Sequence, residues 1–122
     1  MSPAAGPYSP VRRVGDWVIT SGQVGLAIDE AGSAALVPGG TVPELKQALQ
    51  NLAELLAVEG ATLDDVCKTT LYLVDIGDYA AVNEVWTEYF AGNRPTRSAV
   101  AVAALPIGAR VEVEAWAYAP VA

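Results

Sequence analysis

The sequence predicts an α+β fold in which two helices cover one face of a β-sheet, in the order β-β-α-β-α-β-β. Three observations lead to this fold class. Two stretches carry apolar residues at helical spacing, short runs with strand character lie before, between and after them, and no linker or repeat divides the 122 residues. A chain of this length is expected to form a single domain, residues 1–122, with roughly two thirds of its unfolded surface buried.

The N-terminal half predicts two strands and the first helix. Residues 15–27, GDWVITSGQVGLA, are rich in β-branched side chains and read as one strand, and residues 35–40, ALVPGG, read as a short returning strand. Thr41 and Glu44 have the spacing of a capping box, so the helix is expected to begin there. The helix should end near Gly60 and bury one face, which consists of Leu45, Leu49, Leu52 and Leu56.

A central strand and the second helix follow. Residues 65–75, DVCKTTLYLVD, predict the strand, and Cys67 is in phase with its apolar positions, which favours a buried thiol. Asp78 is expected to cap the second helix. The apolar stripe of that helix is predicted to consist of Val82, Val85, Trp86, Tyr89 and Phe90.

The last two strands, 97–105 and 109–119, carry the first indication of a site. In the second of them valines and alanines alternate with a face that contains Glu112, Glu114 and Trp116. We expect the two strands to pair antiparallel with their valines on the core face, and one allowed register places Arg97 across from Glu114. The opposite face is then too apolar for solvent and too charged for a core. Such a face predicts a homo-oligomer with a polar pocket between its subunits.

Two interpretations of Arg97 remain open at this point. It forms a cross-strand ion pair with the glutamates, worth at most about 1 kcal/mol when exposed, or it binds a ligand. The alanines around it in the sequence leave room for a ligand beside the guanidinium group.

Composition excludes several classes of function. The net charge is −7 without a basic run, which argues against binding to nucleic acid. The chain has no histidine and one cysteine, which removes histidine-based triads and the usual zinc sites, and no acidic cluster has the spacing of a metal-binding loop. No segment reads as a membrane span or a secretion signal, so the predicted location is the cytoplasm.

Seven segments, in order and with matching gaps, resemble the RidA (YjgF) family of reactive-intermediate deaminases: GPYSP, ITSGQ, QALQNL, VCKTTLYLVDIGDY, VNEVWTEYF, PTRSAV and ALPIGARVEVEA. The resemblance covers about residues 6–119. It implies a chorismate-mutase-like fold with a mixed sheet, and a homotrimer with ligand pockets between subunits. It also implies hydrolysis of 2-imino acids and their enamine tautomers, such as 2-aminoacrylate, to 2-oxo acids and ammonia.

The resemblance also implies roles for individual residues. Arg97 in PTRSAV would hold the substrate carboxylate, and Glu114 in EVEA would orient or activate water. Tyr8 in GPYSP would close over the ligand, while Ser21 and Gly22 in TSGQ would contribute to substrate binding through the backbone. Ala99 stands where many relatives carry cysteine, and its backbone can still serve the pocket. No metal or organic cofactor is implied, because an imine is already electrophilic.

Two other functions stay open beside the deaminase. One is a non-catalytic trimer that binds or senses small carboxylates such as 2-oxo acids, for which the same arginine would serve. The other is a pathway-specific enzyme of the same fold, although the retained PTRSAV segment favours the general deaminase. The ribonuclease activity attributed to some family members is disfavoured by the negative charge and the lack of histidine.

Overall fold

The computed structural model describes residues 6–121. The prediction that the N-terminal segment carries no secretion signal falls partly outside this range. The α-helices and β-strands within it are β1 Val11–Val14, β2 Trp17–Thr20, β3 Leu26–Ile28, β4 Ala34–Leu36, α1 Thr41–Val58, β5 Val66–Leu73, α2 Tyr79–Tyr89, β6 Thr96–Ala101 and β7 Val111–Tyr118. The predicted α+β fold and the order of the helices and their flanking strands are confirmed, while the N-terminal region divides into more strands than predicted.

The main sheet is mixed and has five strands in the order β1-β2-β7-β5-β6. Strands β5 and β6 are parallel and are joined through α2, whereas the other neighbours are antiparallel. Strands β3 and β4 form a separate antiparallel hairpin. Strand β7 therefore lies at the centre of the main sheet and β6 lies at its edge.

The predicted strand over 15–27 is wrong in extent, because the chain leaves the main sheet after Thr20 and enters the hairpin at Leu26. At Gly25 the backbone passes so close to α1 that an added Cβ would lie 2.6 Å from the Cα of Glu44. Strand β1 was not predicted, since its sequence, VRRV, does not alternate apolar and polar residues. Gly15, with φ +60°, makes the tight turn from β1 into β2.

The core lies between the sheet and the two helices. The four predicted leucines of α1 are fully buried, and Val82, Val85 and Phe90 of the predicted α2 stripe are buried with Trp86 and Tyr89 packed against them. The helices cover a sheet face that includes Val18, Leu71, Leu73, Val111 and Val113. Within residues 6–121 no helix is long and apolar enough to cross a membrane.

The predicted capping box at Thr41 is wrong. Gly40 is the N-cap residue and makes no side-chain cap. The Thr41 hydroxyl donates instead to Asp78 Oδ2 at 2.6 Å, and the buried Glu44 carboxylate accepts from the backbone N–H of Arg110 at 2.9 Å. Asp78 is the N-cap residue of α2, as predicted, but its side chain makes no capping hydrogen bond and lies 3.7 Å from the Arg110 guanidinium. These polar groups connect the starts of α1, α2 and β7.

The predicted antiparallel pair of the last two strands is also wrong. Strand β5 lies between them, parallel to β6 and antiparallel to β7. Arg97 is aligned with Thr69 of β5, whereas Glu114 is aligned with its neighbour Thr70. Successive residues of a strand point to opposite faces, so Arg97 and Glu114 lie on opposite faces of the sheet.

The face assignment is correct for β7 and wrong for β6. Along β7 the valines and alanines are buried under the helices and the glutamates and Trp116 face the open side. In β6, Ala99 packs against the core and Val100 is exposed, the reverse of the prediction. Ala99 aligns with Leu71, which is fully buried.

Cys67 is exposed, so its predicted burial is wrong. The pairing of β5 with β7 shifts register between Val66 and Lys68, which is the signature of a β-bulge at Cys67. Val66 takes the buried position ahead of Thr69 and Leu71, and the thiol is left outside the alternation.

Candidate active site

Arg97 lies on the edge strand β6 and its side chain contacts α2. Its Nη2 donates to Asn83 Oδ1 at 2.7 Å and to the Tyr79 hydroxyl at 3.1 Å. Its Cζ lies 5.0 Å from the centre of the Trp86 ring and 5.3 Å from that of Tyr79, within the range of cation–π attraction. Together these four contacts hold the guanidinium group against α2.

The Arg97 guanidinium group still has N–H groups that no protein atom among the described residues accepts. Within the described part of the chain only its Nη2 is engaged, which leaves the N–H groups of Nε and Nη1 without a protein acceptor. Two N–H groups of one guanidinium match the two oxygens of a carboxylate. The parallel pair uses an Nη2 N–H beside one of Nη1 or Nε, so a carboxylate bound by two bonds would share or displace one Nη2 contact, while the other contacts keep the guanidinium group against α2.

A cleft of about 310 Å³ opens beside this arginine, between α2 and the segment that enters β6. Its walls are partly aromatic and carry a second arginine. The lining residues are Asn83, Trp86, Thr87, Phe90, Arg94, Pro95 and Arg97. A cleft of this size, with aromatic walls and several convergent polar groups, can hold a small polar molecule.

A second cluster lies on the open face of the sheet, where the chain leaves β2. Gly22 is so close to Glu112 that an added Cβ would lie 2.7 Å from the carboxyl carbon. Gln23 keeps this segment against β7, because its N–H donates to the Val113 carbonyl at 2.7 Å and its carbonyl accepts from the Val113 N–H at 2.9 Å. The absence of a side chain at Gly22 thus gives the Glu112 carboxyl its position.

Ser21 joins the Tyr8 segment to the same cluster. Its hydroxyl donates to the Ser9 carbonyl at 2.7 Å, and its backbone N–H donates to the Pro10 carbonyl at 2.9 Å. The Tyr8 side chain is half exposed. Three of the predicted site residues, Tyr8, Ser21 and Gly22, therefore lie in one neighbourhood.

The two glutamates of β7 have different surroundings. Glu114 accepts a hydrogen bond of 2.6 Å from the Tyr72 hydroxyl, and this bond raises the pKa of Tyr72. Glu112 has no such partner among the described residues. Burial, followed by the neighbouring charge of Glu114, raises its pKa above the usual value. Glu112 thus holds a proton more readily than an exposed glutamate does.

The predicted site residues do not meet within one chain. Arg97 and Ala99 lie on the helix side of the edge strand, while Glu114 lies on the open face, where the Gly22 segment contacts Glu112. In the sequence Asn83 and Tyr79 were not identified as partners of Arg97. Their spacing with Trp86, at i, i+4 and i+7, places all three on one face of a helix, a signal that becomes specific only once Arg97 is known to face α2.

Fold and site define an α+β protein with an oriented arginine beside a cleft suited to a small anion. Residues 1–119 match the family model described as Endoribonuclease L-PSP. A mouse protein named 2-iminobutanoate/2-iminopropanoate deaminase is 50% identical over 117 residues, which cover 95% of this chain and 84% of the mouse protein.

Solved structures agree with this match. RidA from the Antarctic bacterium Psychrobacter sp. PAMC 21119 superposes with a TM-score of 0.86 at 37% identity, covering 95% of this chain and 91% of that one. TdcF from E. coli, solved with bound serine, has a TM-score of 0.84 at 32% identity and covers 94% and 90%. The chain belongs to the RidA (YjgF) family.

Proposed function

We propose that this protein hydrolyses reactive 2-imino acids, such as 2-iminobutanoate and 2-iminopropanoate, together with enamine tautomers such as 2-aminoacrylate. The products are the corresponding 2-oxo acids and ammonia. The observation that carries the proposal is the oriented Arg97 with free N–H groups at a cleft. The name of the mouse relative supports the reaction class.

Arg97 is the proposed binding group for the substrate carboxylate. In a 2-imino acid the carboxylate is bonded directly to the imine carbon. Two parallel charge-assisted hydrogen bonds to Arg97 would therefore also orient the C=N bond. Orientation of the reacting atoms contributes to rate by itself, since water then attacks from one direction.

The reaction requires one water and no cofactor. The water oxygen bonds to the imine carbon as a base accepts its proton, and the C=N pair moves to nitrogen. The base returns the first water proton to the nitrogen, and the new hydroxyl group gives up the second one to it, so that ammonia leaves as the C=O bond forms. A carboxyl group can accept and return that proton when its pKa lies near the working pH.

The resemblance implies this role for Glu114, but the geometry favours Glu112 as the water-orienting group. The Glu114 carboxylate is engaged by Tyr72, whereas Glu112 lies against Gly22 and has the raised pKa. The negative charge of Glu114 then adds to the effect of burial in raising the pKa of Glu112. Tyr8, which belongs to the same neighbourhood, remains the proposed residue that closes over the ligand.

We propose that the complete site forms between two subunits of a homotrimer, as the resemblance implies. Arg97 and the Glu112–Gly22 cluster lie on opposite faces of the sheet of one chain, so a second copy is needed to bring them together. The open face also carries half-exposed aromatic side chains, with Trp17 packed edge-on against Trp116 at 6.2 Å and Tyr118 at 5.2 Å. Exposed aromatic surface of this kind is typical of an interface.

Binding without catalysis is the second candidate. The bound serine named for TdcF, a relative at 32% identity, favours it, because that ligand carries a carboxylate and is not an imine. Arg97 would serve this function without either glutamate. A ribonuclease function is not proposed, despite the name of the family model, because the chain is acidic and has no histidine.

The deaminase proposal is tested by competition with semicarbazide. An L-amino acid oxidase generates the imine from leucine, and the semicarbazone signal is followed with and without the protein. We expect the wild type to suppress the signal catalytically and Arg97→Ala to lose about 100-fold or more in kcat/KM, because a charge-assisted pair that orients the substrate is removed. Arg97→Lys should recover little of it, since an ammonium group cannot form the paired bonds.

The matched control is Arg12→Ala, which removes the same charge from an exposed position on β1. It should suppress the semicarbazone signal as the wild type does. A wild type that leaves the signal unchanged while binding 2-oxobutanoate through Arg97 would replace the deaminase by the binding function. Full activity in Arg97→Ala would overturn the role of Arg97.

A further inference from the structure

The cleft beside Arg97 contains a second arginine that the deaminase reaction does not use. Arg94 lines the cleft at the segment leading into β6. Binding of one carboxylate and attack on one imine carbon require Arg97, a water and a carboxyl group. Arg94 therefore has no role in the proposed reaction.

Arg94 also has no structural partner among the described residues. Within residues 6–121 it makes no ion pair or side-chain hydrogen bond to the protein and it is exposed. Two other arginines, by contrast, have clear structural partners among the described residues. Arg13 donates to the carbonyls of Gly15 and Ala119, and Arg110 pairs with Asp78. An unpaired guanidinium group in a cleft retains its full capacity for an anionic ligand.

The local charge of the cleft is opposite to that of the protein. The chain has 14 acidic and 7 basic residues. Of the described residues that line the cleft, two are arginines and none is acidic. Clefts lined by one sign of charge concentrate ligands of the opposite sign, particularly between walls of low dielectric constant such as Trp86 and Phe90.

We propose that this cleft selects 2-imino acids that carry a second carboxylate, with Arg97 binding the carboxylate next to the imine and Arg94 binding the side-chain carboxylate. The inference rests on the proposed deaminase function and names its substrate class. Acidic imino acids, such as those formed by oxidation of aspartate and glutamate, are then better substrates than the apolar imine of leucine. Arg94 acts as a specificity-determining residue.

The test compares kcat/KM for imines generated by aspartate oxidase, glutamate oxidase and an L-amino acid oxidase acting on leucine. The readout is the ratio of the acidic to the apolar substrate, which a merely structural effect of the substitution would not change. We expect Arg94→Ala to lower this ratio about tenfold, the loss of one charge-assisted contact at an exposed position. Arg94→Lys should retain part of it, and the control Arg12→Ala should leave it unchanged. An unchanged ratio in Arg94→Ala would overturn the proposal.

A binding measurement separates this inference from the proposed function. Calorimetry compares 2-oxoglutarate with 2-oxobutanoate, two stable analogues that differ in the second carboxylate. If no imine is hydrolysed, the deaminase proposal fails, while a preference for 2-oxoglutarate that Arg94→Ala removes would still support Arg94. Equal affinity of wild type and Arg94→Ala for 2-oxoglutarate would reject the role of Arg94 even in an active enzyme.

Discussion

Glu112 and Glu114 are two residues apart on one strand face, and their neighbours separate their chemistry. The Tyr72 hydroxyl donates to the Glu114 carboxylate at 2.6 Å. Glu112 is half-buried against the Gly22 segment, and desolvation together with the Glu114 charge raises its pKa. Two carboxyls in different surroundings can take different roles, and Glu112, whose pKa is raised, is the one suited to exchange a proton.

The raised pKa of Glu112 predicts a pH-dependent contribution to stability. The folded state favours its protonated form, so the stability it contributes is full below the ordinary value of 4.5 and is lost as the pH rises through the raised pKa. Glu112→Gln keeps an uncharged side chain at every pH. We therefore expect this variant to melt above the wild type at neutral pH, with the difference disappearing as the pH falls toward 4.5.

Thermal melts of both proteins from acidic to neutral pH measure this difference. The matched control is Glu88→Gln, which makes the same chemical change at an exposed position on α2. It should show no gain that grows with pH. A Glu112→Gln protein less stable than wild type at neutral pH would contradict the expectation. If Glu112 accepts the proton of the attacking water, Glu112→Gln should also lose deaminase activity while it gains thermal stability, a trade of function for stability.

At the scale of elements, the passage of the chain over α1 depends on Gly25. This residue lies between β2 and β3, and an added Cβ would lie 2.6 Å from the Cα and 2.7 Å from the carbonyl oxygen of Glu44. These are backbone atoms within a helix whose Glu44 side chain is itself bonded to Arg110. Neither side of the contact can move without disturbing the packing of α1.

Gly25→Ala is expected to destabilise the protein by about 1–3 kcal/mol, the range for overpacking a well-packed contact. Denaturation in urea at a fixed protein concentration measures it. Gly92→Ala is the matched control, because its Cβ would meet only the Asp64 carboxylate oxygen at 3.6 Å, an ordinary contact. Equal stability of the two variants would show that α1 can shift away from Gly25.

At the scale of the whole molecule, the separation of Arg97 from the Glu112 cluster makes a prediction about assembly. If each site uses Arg97 of one subunit and Glu112 of the next, two inactive variants can complement each other. Mixing Arg97→Ala with Glu112→Gln chains and refolding them together should yield trimers in which one of the three sites is wild type. With random mixing, about a quarter of the wild-type activity should return.

The measurement is the imine assay on the mixed sample, beside each variant refolded alone, with the oligomer mass determined by light scattering. Recovery requires both an oligomer and a shared site. No recovery in trimers shown to be mixed by native mass spectrometry would place the complete site within a single chain. A monomeric mass for the wild type would contradict the predicted homotrimer.

The sequence alone determined features that depend on local periodicity. The leucines of α1 recur with the helical period and are all buried, and β7 alternates as its valines and glutamates require. The segments shared with the RidA family identified the fold and drew attention to Arg97. Helical and strand periods are set within a few residues of the backbone, so short stretches of sequence report them directly.

Only the tertiary structure decided which strands are neighbours and which face β6 presents. Inserting β5 between β6 and β7 separated Arg97 from Glu114, and the bulge at Cys67 exposed the thiol. The tertiary structure also revealed Asn83 and Tyr79 as the partners of Arg97. Pairing between strands is decided by contacts between residues far apart in the chain. For a short strand at a sheet edge, where Ala99 fits under the helices and Val100 is tolerated outside, side-chain type does not decide the buried face.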